Sequence, residues 1–154
     1  IKLESGGGQF EIVEHLADHD IPVCAHLGLK PQSVHKLGGF RVQGREPDQA
    51  RAMVDAGKRL QDAGADIVLL ECVPNEVGKA MTDALDVPVI GIGAGPEVDG
   101  QILVLYDVLD ITMGRTPRFV RNFQHGHDSP LAALEAYVRA VKDRSYPAPE
   151  HCFS

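Results

Sequence analysis

The chain has 154 residues, 44% of them apolar and 24% charged, which is the balance of one globular domain with a core. Its formal net charge is −7 and it carries no basic run, which argues against a nucleic-acid partner. No apolar run reaches the length of a membrane span, no signal-peptide pattern opens the chain, and the three scattered cysteines (Cys24, Cys72, Cys152) read as reduced thiols of a cytoplasmic protein.

Residues 1–4 read as a strand with no methionine and no cap before it, so we expect further chain upstream. Ser5 to Gly8 form a glycine loop. Phe10, Val13, Leu16 and Ala17 then recur at helical spacing within residues 9–19. Residues 21–27 are apolar with β-branched members, as in a strand. From 28 to 46 no period holds, and Pro31, Gly38, Gly39 and Gly44 mark a long loop of the kind that is usually functional. The spacing of Ala50, Met53, Val54, Leu60 and Ala63 predicts a helix over 47–64, with Pro47 in its first turn and Gly64 as its stop.

Residues 66–73 form the most telling stretch: an unbroken Ile-Val-Leu-Leu run, then Glu71, then Cys-Val before Pro74. Such a run fits a parallel strand covered on both faces. A carboxylate at its end is costly to place there and is therefore a candidate functional group. A helix over 74–85, a strand over 87–92, a glycine loop over 91–96 and a strand over 101–109 follow. A short helix over 116–123, an amphipathic helix over 130–143 and a polar tail over 146–154 complete the chain. Alternating strands and helices with short connections predict a parallel α/β fold.

A doubly wound sheet and a (β/α)8 barrel both accommodate this pattern. The recurrence of polar residues at successive strand ends favours the barrel, which gathers such ends into one ring. Lys2 and Glu4 point to one face of their strand and together suit an anion and a hard cation, or equally a surface ion pair. His26 suits a donor to a substrate oxygen, or a structural histidine. Glu71 suits a general base, provided it stands against the carbon it deprotonates. The glycines of 91–96 fail the dinucleotide spacing, because Pro96 stands where the third glycine belongs.

Several stretches together resemble the ketopantoate hydroxymethyltransferase family. They are Lys2-Leu-Glu4, the run from Ala25 to Val34 (AHLGLKPQSV), the run from Lys36 to Arg45 (KLGGFRVQGR), Leu70 to Pro74 (LECVP), Ile90 to Pro96 (IGIGAGP) with Asp99 to Val104 (DGQILV), and Thr116 to Val120 (TPRFV). The resemblance implies a (β/α)8 TIM barrel of the phosphoenolpyruvate/pyruvate superfamily type, with residues 1–154 as a single domain, its C-terminal part, and the N-terminal strands missing. It implies transfer of a hydroxymethyl group from 5,10-methylenetetrahydrofolate to 3-methyl-2-oxobutanoate, giving 2-dehydropantoate for pantothenate biosynthesis, through a Mg²⁺-stabilised enolate. It implies that Glu4 ligates Mg²⁺ beside two aspartates that have no counterpart here, that Lys2 and His26 bind the keto acid, and that Glu71 takes the proton. It implies a homodecamer in the cytoplasm. Lys36, Arg41 and Arg45 would meet the folate's acidic tail, or simply be solvated. Two other readings stay open: another 2-oxo-acid aldolase or lyase, and an inactive half-barrel that serves as a subunit.

Overall fold

The computed structural model describes residues 1–4, 9–35 and 39–154, so the Ser5 to Gly8 loop and Lys36 lie outside the described residues. Strands β1 (Lys2–Glu4), β2 (Cys24–Gly28), β3 (Ile67–Glu71), β4 (Val89–Ile92) and β5 (Gly100–Gln101) form one sheet in the order β1-β2-β3-β4-β5. Every neighbouring pair is parallel. The order never reverses, so the sheet lacks the switch point of a doubly wound fold.

Helices α1 (Phe10–Ala17), α2 (Pro47–Asp62) and α3 (Asn75–Ala84) connect the first four strands. All three pack on one face. Leu3, Ala25, Leu27, Val68, Leu70 and Val89 point towards them, meeting Val13, Leu60, Val77 and Met81. The two-residue pleat sends Lys2, Glu4, Cys24, His26, Leu69 and Glu71 to the opposite face. Register puts Glu4 beside His26, and Gly28 beside Glu71.

Local chemistry fixes the longer helices. Pro47 opens α2 at a position that needs no N–H donor, and Asp48 and Arg59 complement its dipole. Its end is a Schellman motif: Ala65 N–H returns to the Leu60 carbonyl, Gly64 N–H to that of Gln61, and Gly64 adopts φ +96°. Ser129 caps helix α5 (Pro130–Lys142), its Oγ accepting from Ala132 N–H at 3.2 Å. Among the described residues no helix is long and apolar enough to cross a membrane.

Three expectations from the sequence are corrected. The strand predicted over 101–109 is only β5, followed by a single helical turn, α4 (Leu105–Val108). Its neighbour β4 ends at Ile92 and turns away at Gly93 (φ +64°), so residues past Ile102, whose N–H still reaches Gly91, have no ladder to join. The helix predicted over 116–123 is irregular chain. Phe119 packs with Leu69 and Ile92 while Phe123 packs with Val108 and Ala133, so its apolar residues serve two cores rather than one stripe. The polar tail over 146–154 is anchored: Tyr146 is 3% exposed, its hydroxyl donates to the Phe119 carbonyl at 2.6 Å, and the Phe153 carbonyl accepts from Asn75 N–H.

Gly28 sets the β2–β3 spacing at the functional end of the sheet. Its φ is +90°, and a Cβ there would overlap the Glu71 carbonyl oxygen. Gly28→Ala is therefore expected to cost about 3 kcal/mol in denaturant unfolding. Gly114, also at positive φ but with nothing within 4 Å of an added Cβ, is the control and should lose roughly 1 kcal/mol when changed to Ala.

Candidate active site

Glu4, His26 and Glu71 converge. The His26 ring is wholly buried, its Nδ1 lies 3.7 Å from Glu4 Oε1, and its Nε2 lies 3.3 Å from Glu71 Oε2. The Glu4 and Glu71 side chains are 21% and 13% exposed, so an inaccessible imidazole stands between two half-sheltered carboxylates. Among the described residues neither His26 ring nitrogen has a hydrogen-bond partner of good geometry. A buried donor left so costs about 1–3 kcal/mol, and such groups need a specific explanation.

Lys2 lies one rung away, on the same face as Glu4 and in register with Cys24. It is exposed, and its ammonium acts on Cys24, whose thiol is nonetheless pushed up by burial. Lys2 thus shares the face without joining the buried cluster. A strand supplies this arrangement cheaply, because i, i+2 neighbours share a face and parallel register aligns them with the next strand.

A cavity of about 710 Å³ opens at the end of β3, its lining including Leu29, Glu71, Cys72, Ile92, Phe119 and Phe153. Phe119 and Phe153 meet edge-on at 6.4 Å. The same lining includes Phe40, Asp107, Arg115 and Arg118. Sequence reasoning singled out none of these three polar residues. The buried Asp107 sits on an unforeseen helical turn, and Arg118 lies in the stretch over 116–123 that was expected to be helical. Arg41 and Arg45, which had been candidates for an acidic ligand, are exposed and stand outside this lining. Gly93 and Gly95, at φ +64° and +85°, let the 91–96 loop pass against Phe119 and Asn75, so its glycines serve close packing.

Among the described residues no three of His, Cys, Asp and Glu gather as a metal site. Glu4 is a hard oxygen donor, partly exposed on the open face, and fits as one ligand of a hard cation that draws its remaining ligands from elsewhere.

A sequence profile described as ketopantoate hydroxymethyltransferase matches residues 1–149. The chain belongs to the ketopantoate hydroxymethyltransferase family. Relatives named 3-methyl-2-oxobutanoate hydroxymethyltransferase include that of Chromohalobacter salexigens, 59% identical over 99% of this chain and 58% of the relative, and that of Alkalilimnicola ehrlichii, 58% identical over 99% and 55%. A Hahella chejuensis protein, 3-methyl-2-oxobutanoate hydroxymethyltransferase 2, is 51% identical over all of this chain and 58% of its own. The chain therefore spans a little over half the length of these members of the ketopantoate hydroxymethyltransferase family. The YdjI aldolase of Escherichia coli K12 aligns with 97% of the chain and 52% of its own at 20% identity and a TM-score of 0.34, too loose a fit to carry weight.

Cys72 offers a check on this environment. It follows Glu71 at φ +56°, and burial, with Glu71's charge second, pushes its thiol up to about 12. Alkylation of Cys72 at pH 8, followed by peptide mass spectrometry, is expected to lag the unfolded protein by roughly 100-fold or more. Equal rates would mean that the Glu71 end of the sheet is open to water.

Proposed function

We propose that this chain contributes the proton-abstracting half of a hydroxymethyltransferase that adds a one-carbon unit from 5,10-methylenetetrahydrofolate to 3-methyl-2-oxobutanoate, giving 2-dehydropantoate. The observation that carries this reading is the convergence of Glu4, His26 and Glu71 on one sheet face, in a chain of this family. We further infer that the five parallel strands are part of a (β/α)8 barrel whose interior is that face. Unreversed strand order and helices on a single face support it. A homodecamer in the cytoplasm is the proposed setting, and exposed Leu105, Tyr106, Ile111 and Met113 supply apolar surface for subunit contacts.

Each residue has a distinct task. Glu71, sheltered yet reachable from the cavity, takes the proton from C3 of the keto acid. Lys2 places an ammonium on the same face for the acid's carboxylate. His26, buried between the two carboxylates with a ring nitrogen facing each, positions Glu4 and Glu71 on the keto acid's side of the sheet. Mg²⁺, bound with Glu4 as one ligand, supplies electrophilic polarisation of the 2-oxo acid. The C3 carbanion forms a bond to the donor's methylene carbon, and both of that carbon's C–N bonds are broken. One water supplies the hydroxyl oxygen, and tetrahydrofolate leaves with its two nitrogens protonated.

The competing aldolase and lyase readings use a free aldehyde. They predict turnover with aldehyde alone, whereas the proposed enzyme requires the folate donor.

In a family-length protein containing this chain, Glu71→Gln is expected to leave keto-acid binding within about threefold while slowing exchange of its C3 proton with solvent by roughly 1,000-fold or more, read by NMR in deuterated buffer. Exchange at the normal rate would remove Glu71 as the base. Lys2→Ala is expected to raise the keto-acid KM by about tenfold or more, with a smaller change in kcat; steady-state kinetics that leave both unchanged would take Lys2 out of the site.

A further inference from the structure

The proposed chemistry uses Glu71 but leaves unexplained a second, buried carboxylate that lines the same cavity. Asp107 is 7% exposed, lines the same cavity as Glu71, and has no cationic partner among the described residues. The Thr112 hydroxyl donates to its Oδ1 at 2.5 Å, and no described residue donates to Oδ2.

The surroundings define what would complete it. Phe40, Phe119 and Phe153 give the cavity flat aromatic walls. Exposed Arg118 donates through Nε to the Glu150 carbonyl at 3.0 Å, and its guanidinium lies 5.9 Å from the Phe153 ring. Its terminal nitrogens are left for an anion. A volume of about 710 Å³ suits a ligand larger than a five-carbon keto acid. The lining therefore combines a buried carboxylate acceptor, aromatic rings and an exposed guanidinium.

We infer that this cavity is the one-carbon donor's subsite, in which Asp107 accepts from the adjacent ring N–H and amino group of an aminopyrimidinone and Arg118 pairs with the donor's terminal carboxylate. The inference rests on the hydroxymethyltransferase reading and adds to it where the donor lies and which side chains choose it. An aminopyrimidinone edge offers two neighbouring N–H donors, and a carboxylate is their matching acceptor. Stacking on phenyl rings sequesters the remainder of such a ligand. Glu71 lines the same cavity, so the deprotonated carbon stands beside the bound donor.

Asp107→Asn isolates the recognition. The amide oxygen can still accept from Thr112, while the amide N–H₂ meets the donor's own N–H groups. In a family-length protein containing this chain, this variant is expected to raise the KM for 5,10-methylenetetrahydrofolate by about tenfold or more, with the keto-acid KM unchanged. Arg118→Met is expected to erase the wild-type preference for that donor over its tetrahydropteroate counterpart, which lacks the glutamate. A folded Asp107→Asn protein with an unchanged donor KM, or an Arg118→Met protein that keeps the preference, overturns the inference. Wild-type exchange of the C3 proton separates the two levels. Exchange with an unmoved donor KM sinks this subsite alone, whereas no exchange in the wild type sinks the hydroxymethyltransferase reading beneath it.

Discussion

The contact on which the site depends is the one between Gly28 and the Glu71 backbone. β2 and β3 approach so closely there that no side chain fits, and the next residue, Leu29, donates its N–H to the Glu71 carbonyl at 2.8 Å. That hydrogen bond carries the β2–β3 ladder one step past the last paired residues. It pins the backbone of Glu71 while leaving its carboxylate free to face His26. A side chain at position 28 would spread the strands at the point where the imidazole and the two carboxylates meet. The precision of the cluster is thus set by the absence of one methyl group.

The pleat then separates stability from chemistry. On one face Ala25, Leu27, Val68, Leu70 and Val89 are buried against three helices. Burying such side chains yields roughly 1.5–3 kcal/mol each for the larger ones, enough to hold polar groups on the other face in costly positions. His26 is the clearest of these: fully buried, flanked by acids, and bonded to neither. Register alone brings Glu4 to it, because Glu4 and His26 are direct partners across β1 and β2. Glu71 reaches it diagonally, one rung further along β3, where its own partner is a glycine.

Much of this was legible in the sequence because it follows from periodicity. Alternation and continuous apolar runs locate β2, β3 and β4, and helical spacing with Pro47 and Gly64 locates α2. The shared face of Lys2 and Glu4 follows from their separation by one residue. Burial of Glu71 in the wall follows from the apolar run before it. What stayed hidden depends on tertiary partners. Residues 101–109 carry strand-like composition, yet a strand exists only where a neighbour continues, and β4 stops first. Tyr146 sits in a stretch rich in proline and charge, but its hydroxyl and its ring contacts with Phe123 and Tyr137 tie that stretch down. No local pattern announces a bond to the Phe119 carbonyl. The burial of Asp107 was masked in the same way, since only a completed cavity lining distinguishes it from a surface acid.

These two kinds of information meet at Glu71. As the last residue of β3 it belongs to the ladder, and as a wall of the cavity it belongs to the segment that returns from the C-terminus. A base in a carbon–carbon bond-forming reaction needs both neighbours. One must hold the carbon acid against the carboxylate, and the other must hold the electrophile within reach of the carbon once the proton is gone. In the proposed reaction the first task falls to the sheet face, with Lys2, Glu4 and His26. The second falls to the aromatic cavity lined by Phe119 and Phe153. The Phe153 carbonyl accepts from Asn75 at the start of α3, and α3 begins just after Pro74, so the tail that walls the cavity is fastened to the element that follows Glu71. Loosening that tail would therefore disturb the cavity lining while leaving the Glu4–His26–Glu71 row in place, because the row is held by strand register rather than by the tail.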